Sequence, residues 1–260
     1  MSGLDAIGAS VRRHDPDRFL AALFAPPARR PALFLLYAFN HELARAREVA
    51  REPMLALIRL QWWREVVAGA PRAHALATQI QAALAAGTLG AGDLGAMIDG
   101  REAEAGEVAS LAEFEHLVRT TAGALAVAAG RALGAAAELP RLEWLGTAYG
   151  IAGQLRSVPS LARQGRCLLP SDLLAAEGLT PEAVVARPDD PRLRPILAAL
   201  ADRGRRLLAE AGGRLPRPLL AAALPAVLAR RDLRHPAPPA GPRGVGARLA
   251  MLAAFVAGRV

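Results

Sequence analysis

Lysine is absent from this 260-residue chain: all 32 basic residues are arginine. Cysteine occurs once, at Cys167, which excludes an internal disulfide and any zinc site built from several thiolates. Aromatic residues make up only 4%, and β-branched runs with period-two alternation are scarce, which argues against sheets. No stretch reaches the roughly 20 apolar residues that span a bilayer. The longest candidate, 120–137, is interrupted by Arg131. The N-terminus lacks the charged-then-apolar pattern of a secretory leader, so the expected location is cytoplasmic, or peripheral on the inner membrane.

Apolar residues make up 53% of the chain, and many of them are alanine, the strongest helix former. The fold class expected is all-α. A chain of this length buries one sizeable core, and a single domain over 1–260 is expected. Charge is unevenly spread. Residues 1–186 carry 18 arginines against 19 acids, whereas 187–260 carry 14 against 5. The positive balance therefore sits in the last quarter of the chain. Such a face attracts anionic lipid, nucleic acid or an acidic partner, unless it is simply a solvated arginine surface. Nucleic acid is the weakest of these, because the arginines are not interleaved with aromatics and no recognition motif is present.

Proline and glycine punctuate the chain. Helices are predicted from about 28–31 to 50, then over 53–68, 72–86, 91–107, 111–134 and 140–157. Glu52-Pro53 separates the first two, since the residue before proline disfavours helical backbone. A loop with a basic tip is predicted over 159–170, followed by short turns at 171–176 and 181–186. Long helices follow at 192–212 and 216–231. The proline-rich run 235–242 reads as a linker before a last apolar helix at 244–257.

The stretch Tyr37-Ala38-Phe39-Asn40, then Glu42-Leu43-Ala44, then Arg59-Leu60-Gln61-Trp62-Trp63 resembles the squalene/phytoene synthase family. These are head-to-head prenyl transferases with the isoprenoid synthase fold. The resemblance is closer to a divergent branch that includes a mitochondrial assembly factor for respiratory complex I. A second block, Leu155, Arg156, Pro159, Arg163, Arg166, Leu169 and Pro170, fits the same branch. Asp99-Gly100 adds a weaker match. The resemblance runs over about residues 15–260 and implies an isoprenoid synthase-like helical bundle around a central cavity.

Active members of that family hold magnesium on two aspartate-rich helical motifs, because magnesium takes oxygen ligands and bridges carboxylates to phosphate. Here the first motif falls on Ala44, Arg45 and Glu48, and the second on Arg156, Ser157 and Leu161. One acid remains in the first and none in the second. The resemblance thus implies a non-catalytic protein acting in assembly of a membrane complex, with no catalytic residue and no metal ligand. The alternatives are an active prenyl transferase, which alone would need magnesium, and a prenyl-diphosphate or lipid-binding protein without turnover. The resemblance implies ligand-facing roles for Tyr37, Asn40, Arg45, Glu48, Arg59, Gln61, Gln154, Arg156 and Arg166. Arg45, Arg59, Arg156, Arg163 and Arg166 could grip a diphosphate without metal through charge-assisted bonds. Equally, Arg45 could pair with Glu42 or Glu48 one turn away. Glu48 and Glu52 share helical i, i+4 spacing. The acids Asp99, Glu102, Glu104 and Glu107 form the densest cluster, read as a solvated helix rather than a metal site. The histidines 14, 41, 74, 116 and 235 show no metal-ligand spacing. Expected partners are a membrane surface, subunits of a membrane complex, or a prenyl diphosphate or lipid.

Overall fold

Proline and short polar side chains set where the helices begin. In the computed structural model, which describes residues 3–49, 53–104, 106–235 and 243–260, the chain is helical almost throughout. Nothing is described of the side chains of residues 3–5, 48, 49 and 53. The linker expected at 235–242 falls almost wholly outside the described residues, as does Glu52. Two short helices open the chain, α1 (Gly3–His14) and α2 (Pro16–Ala22). The Asp15 carboxylate caps α2 by accepting from the Arg18 backbone N–H at 3.1 Å. The long helices α3 (Arg30–Val49) and α4 (Pro53–Val67) follow, with Pro53 in the first turn of α4, where its missing N–H costs nothing.

Next come α5 (Ala75–Ala85), α6 (Ala91–Ala103), α7 (Leu111–Val118) and α8 (Ala124–Ala132). Ser110 caps α7 by accepting from the Glu113 N–H at 3.2 Å, while the Glu113 carboxylate accepts from the Ala109 N–H at 2.8 Å. A wide π turn, Arg119–Gly123, joins α7 to α8 without a break. The longest helix, α9 (Leu139–Arg163), is central and packs against α8, the π turn and two later helices. The chain then forms α10 (Ser171–Ala176), α11 (Pro181–Ala186), α12 (Leu193–Ala211), α13 (Leu220–Ala223), α14 (Pro225–Asp232) and α15 (Val245–Ala257). Among the described residues there is no strand, only an isolated antiparallel bridge between Arg214 and Arg259.

The predicted end of the 140–157 helix is corrected. α9 runs through Pro159 to Arg163, leaving a shorter loop before Pro170. Proline inside a helix removes one backbone hydrogen bond and crowds the preceding turn. Nearby side chains supply local bonds: Ser157 Oγ donates to the Gly153 carbonyl and Ser160 Oγ to the Ser157 carbonyl, both at 2.8 Å. The 111–134 prediction also changes, since the π turn interrupts regular α-helix there.

Small residues bring the centre together. A Cβ added at Gly100 of α6 would sit 2.2 Å from the Thr120 carbonyl oxygen of the π turn. One at Gly146 of α9 would sit 2.5 Å from Ala126 Cβ, and one at Gly150 2.7 Å from Ala122 Cβ. Glycine is thus required at these crossings so that the backbones can approach. The core inside them is built from Leu33, Leu36, Tyr37, Phe39 and Leu43 of α3, Leu60 and Trp63 of α4, and Leu142, Leu145 and Ile151 of α9, all at most 3% exposed. Full burial of each such large apolar side chain contributes about 1.5–3 kcal/mol.

Candidate functional site

The inward face of α3 carries the site. Residues at i, i+4 and i+7 share a helix face, so Asn40, Ala44 and Arg47 lie on one side of α3, the side on which Asn40 meets α6. Arg101 of α6 donates to Asn40 Oδ1 at 3.2 Å and, through its other terminal nitrogen, to Glu104 at 2.7 Å. Arg166, at the loop after α9, reaches the second oxygen of Glu104 at 3.4 Å. Arg47 faces both Arg166 and Glu104. Two guanidinium groups therefore hold the Glu104 carboxylate, which is 9% exposed at its side chain, and Arg47 stands within electrostatic range of it.

Burial pushes the Glu104 carboxyl up, but Arg101 and then Arg166 outweigh it and hold it below the ordinary glutamate range. Burial, reinforced by repulsion from Arg166, lowers Arg47. Although the Arg47 side chain is only half-buried, its Nε and Nη1 are sealed from solvent without hydrogen-bond partners, as are Arg101 Nε and Gln154 Oε1.

The space beside this cluster is small. Gln154 and Arg166 line a space of about 10 Å³ with Val158, Leu161 and Leu168. Tyr37 and Tyr149 line another of about 10 Å³ with Leu145 and Ala126. Each has the room of one water at most, whereas a small-molecule pocket spans roughly 300–1,000 Å³. The expected centre of the bundle is filled by side chains at both places. Burial also raises the phenols of Tyr37 and Tyr149 well above the ordinary tyrosine range, so both stay neutral and neither is a base. The larger recesses are on the outside. One of about 430 Å³ runs between α1, α3 and α5, and an adjoining one of about 220 Å³ is lined by Glu42, Arg59, Trp62, Trp63 and His74.

The residues singled out from the sequence divide accordingly. Asn40, Gln154 and Arg166 belong to the interior cluster, and Tyr37 lies one turn along the same helix face. Arg45 points outward and pairs with Glu42 at 3.2 Å. Arg59 lines the outer recess, and Gln61 is exposed and donates to Glu65 at 3.4 Å. Arg163 is exposed, with its Nε donating to the Pro159 carbonyl at 3.3 Å. Arg156 does not meet Arg45. It faces Asp232 of α14 at 3.5 Å, in a network where Arg243 grips Asp232 with both terminal nitrogens and Asp17 with Nε. Tyr149 donates to Asp17 at 3.0 Å, and Arg18 stacks over its ring at 4.7 Å. The Glu48 side chain lies outside what is described. Trp63 is in the core, while Trp62 is half-buried and set edge-on to it at 4.8 Å.

Among the described residues, the donors do not fit magnesium. Ala44, Ser157 and Leu161 offer no carboxylate, Glu104 is held between two arginines, and Arg64 bridges Asp99 and Glu102 at 2.7 and 2.8 Å. Among the described residues no three His, Cys, Asp or Glu side chains are placed to share a metal ion.

The sequence pattern of squalene/phytoene synthase matches residues 11–236. The chain belongs to the squalene/phytoene synthase family. Its sequence is 27% identical over 220 residues to NADH dehydrogenase (ubiquinone) complex I, assembly factor 6 from Bos taurus, covering 77% of this chain and 64% of that protein. The Homo sapiens protein of the same name is 26% identical over 205 residues, covering 74% and 60%. The chain thus spans about three fifths of the length of these curated relatives. In fold it is similar to a dehydrosqualene synthase (TM-score 0.80, 14% identity, 98% of this chain and 95% of that one). It is also similar to squalene synthase HpnC from Alicyclobacillus acidocaldarius (TM-score 0.67, 19% identity, 98% and 94%). Within this family member, the interior cluster draws on α3, the end of α6, Gln154 of α9 and the loop after α9; α3 and α9 are the two elements on which the acid motifs were expected. The arginines that line it, Arg47 and Arg101, went unremarked in the sequence. Helical phase could have found Arg47, seven residues after Asn40; Arg101 is brought in only by the packing of α6.

Proposed function

We propose that this protein is a non-catalytic squalene/phytoene synthase family member that acts in assembly of a membrane-bound respiratory complex of the complex I type. The observation that carries the reading is electrostatic. Prenyl transfer of this family type asks for metal-bound carboxylates facing a diphosphate. Here, among the described residues, the buried Glu104 carboxylate is neutralised by Arg101 and Arg166, and the motif positions Ala44, Ser157 and Leu161 are uncharged. The names of the most similar curated relatives support the assembly context. Deleting the gene in its host should lower the amount of assembled complex I on native gels, and the intact chain should restore it. Unchanged assembly in the deletion strain would remove this reading.

A second reading, anion binding without turnover, is favoured by the unpaired Nε and Nη1 of Arg47 and Nε of Arg101. Because the adjoining space is about 10 Å³, it requires the loop at 164–170 to open. Titration with inorganic diphosphate tests it: Arg47→Ala should weaken binding about tenfold, the worth of one charge-assisted hydrogen bond. Equal affinity in parent and variant would discard it.

A further inference from the structure

The last helix presents apolar side chains on the wrong side. Val245, Leu249, Leu252 and Val256 of α15 are 68%, 59%, 47% and 67% exposed. Their spacing, i, i+4, i+7 and i+11, puts all four on one stripe. The opposite face is the one that packs: Ala247 and Met251 are buried, and Phe255 meets Phe24 at 4.8 Å between ring centres. Leu23, the sequence neighbour of Phe24, is itself 41% exposed.

The segment that carries this stripe has charge of one sign. No acidic residue occurs from 233 to 260. Arg248 lies on the flank of the stripe, Arg259 follows the helix end and pairs in a backbone bridge with Arg214, and Arg231 reaches toward Gly246 at the other end. Arg214, Arg230, Arg231, Arg248 and Arg259 are all exposed, and none makes an ion pair among the described residues. They contrast with Arg243, nearby in sequence, which is fully engaged by Asp17 and Asp232.

We propose that α15 is an interfacial helix by which the protein docks on an anionic lipid surface. A ridge one helix wide, apolar along its crest and rimmed by free arginines, matches a bilayer whose phosphate layer overlies hydrocarbon. The helix lies in the plane of the surface: at 13 residues it is too short to cross, and no helix of the described residues is long and apolar enough to do so. A second copy of the chain is a poorer occupant. Even with Leu23 added, the exposed stripe offers on the order of 500 Å² of apolar surface, short of the roughly 800 Å² per partner of a stable interface. Symmetric pairing would also set Arg248 and its neighbours against their own copies. The inference rests on this helix and its arginines and is independent of the assembly reading.

Sedimentation of the full chain with vesicles tests it. The parent should bind vesicles of phosphatidylcholine containing one third phosphatidylglycerol at least tenfold more tightly than vesicles of phosphatidylcholine alone. The double variant Leu249→Glu, Leu252→Glu should bind at least tenfold more weakly with unchanged circular dichroism, since both side chains face solvent. Arg248→Ser with Arg259→Ser should lower affinity and flatten its decline with salt. The proposal is overturned if the parent ignores anionic vesicles or if the leucine variant binds them like the parent. It is also overturned if the parent is a dimer in solution that the leucine variant dissociates, which would give the face to a second copy.

Discussion

Arg166 and Glu104, 62 residues apart, meet at 3.4 Å inside the bundle, and Arg101 holds the other oxygen of the same carboxylate at 2.7 Å. This pairing joins the loop after α9 to α6 and neutralises a carboxylate inside the bundle.

Removing that carboxylate leaves buried guanidinium groups without a counter-charge. Glu104→Gln should destabilise the protein by about 3 kcal/mol in urea unfolding at neutral pH. A carboxyl whose folded-state value is depressed contributes stability that is present above the ordinary glutamate range and is lost as the pH falls through the folded value. The parent should therefore lose this contribution below about pH 4.5, the ordinary glutamate value, and Glu104→Gln should lack that part of the acid limb. An acid limb of equal steepness in both would contradict the assignment.

Two glycines should respond oppositely to alanine. Gly100→Ala drives a methyl against the Thr120 carbonyl at 2.2 Å, where only backbone can yield, and should cost about 3 kcal/mol or prevent folding. Gly153→Ala, in α9 with nothing within 4 Å, should stabilise by up to about 1 kcal/mol through helix propensity. Thermal unfolding of the pair measures both.

Arg243 fastens the start of α15 to α2 and α14. Arg243→Met leaves Asp232, 7% exposed, among the described residues with only the 3.5 Å ion pair to Arg156, and should cost about 3 kcal/mol. Amide exchange should accelerate selectively in Val245–Ala257. Uniform acceleration across the chain would point to global loss instead.

Much of this fold is written in local signals. Short helices at 171–176 and 181–186 follow Pro170 and Thr180-Pro181 and are found at those positions. Pro53 stands in the first turn of the second long helix, where the sequence places it. The helices α1 and α2 were not anticipated, although Asp15-Pro16 marks the start of α2 with an N-cap and a first-turn proline. Pro159 misled for a physical reason: it breaks the backbone pattern, yet local bonds from Ser157 and Ser160 accompany continuation of the helix. At the site, family motif positions directed attention to Arg45, whereas helical phase turns it outward and brings Arg47 inward. Arg101 and the Asp232 partner of Arg156 come from distant segments, and no spacing rule within one helix can supply them.

The central claim is that the bundle no longer ionises an allylic diphosphate. The direct test incubates the purified full chain with farnesyl or geranylgeranyl diphosphate and magnesium and measures pyrophosphate release. The account predicts release no faster than in protein-free buffer; sustained, enzyme-proportional release would contradict it.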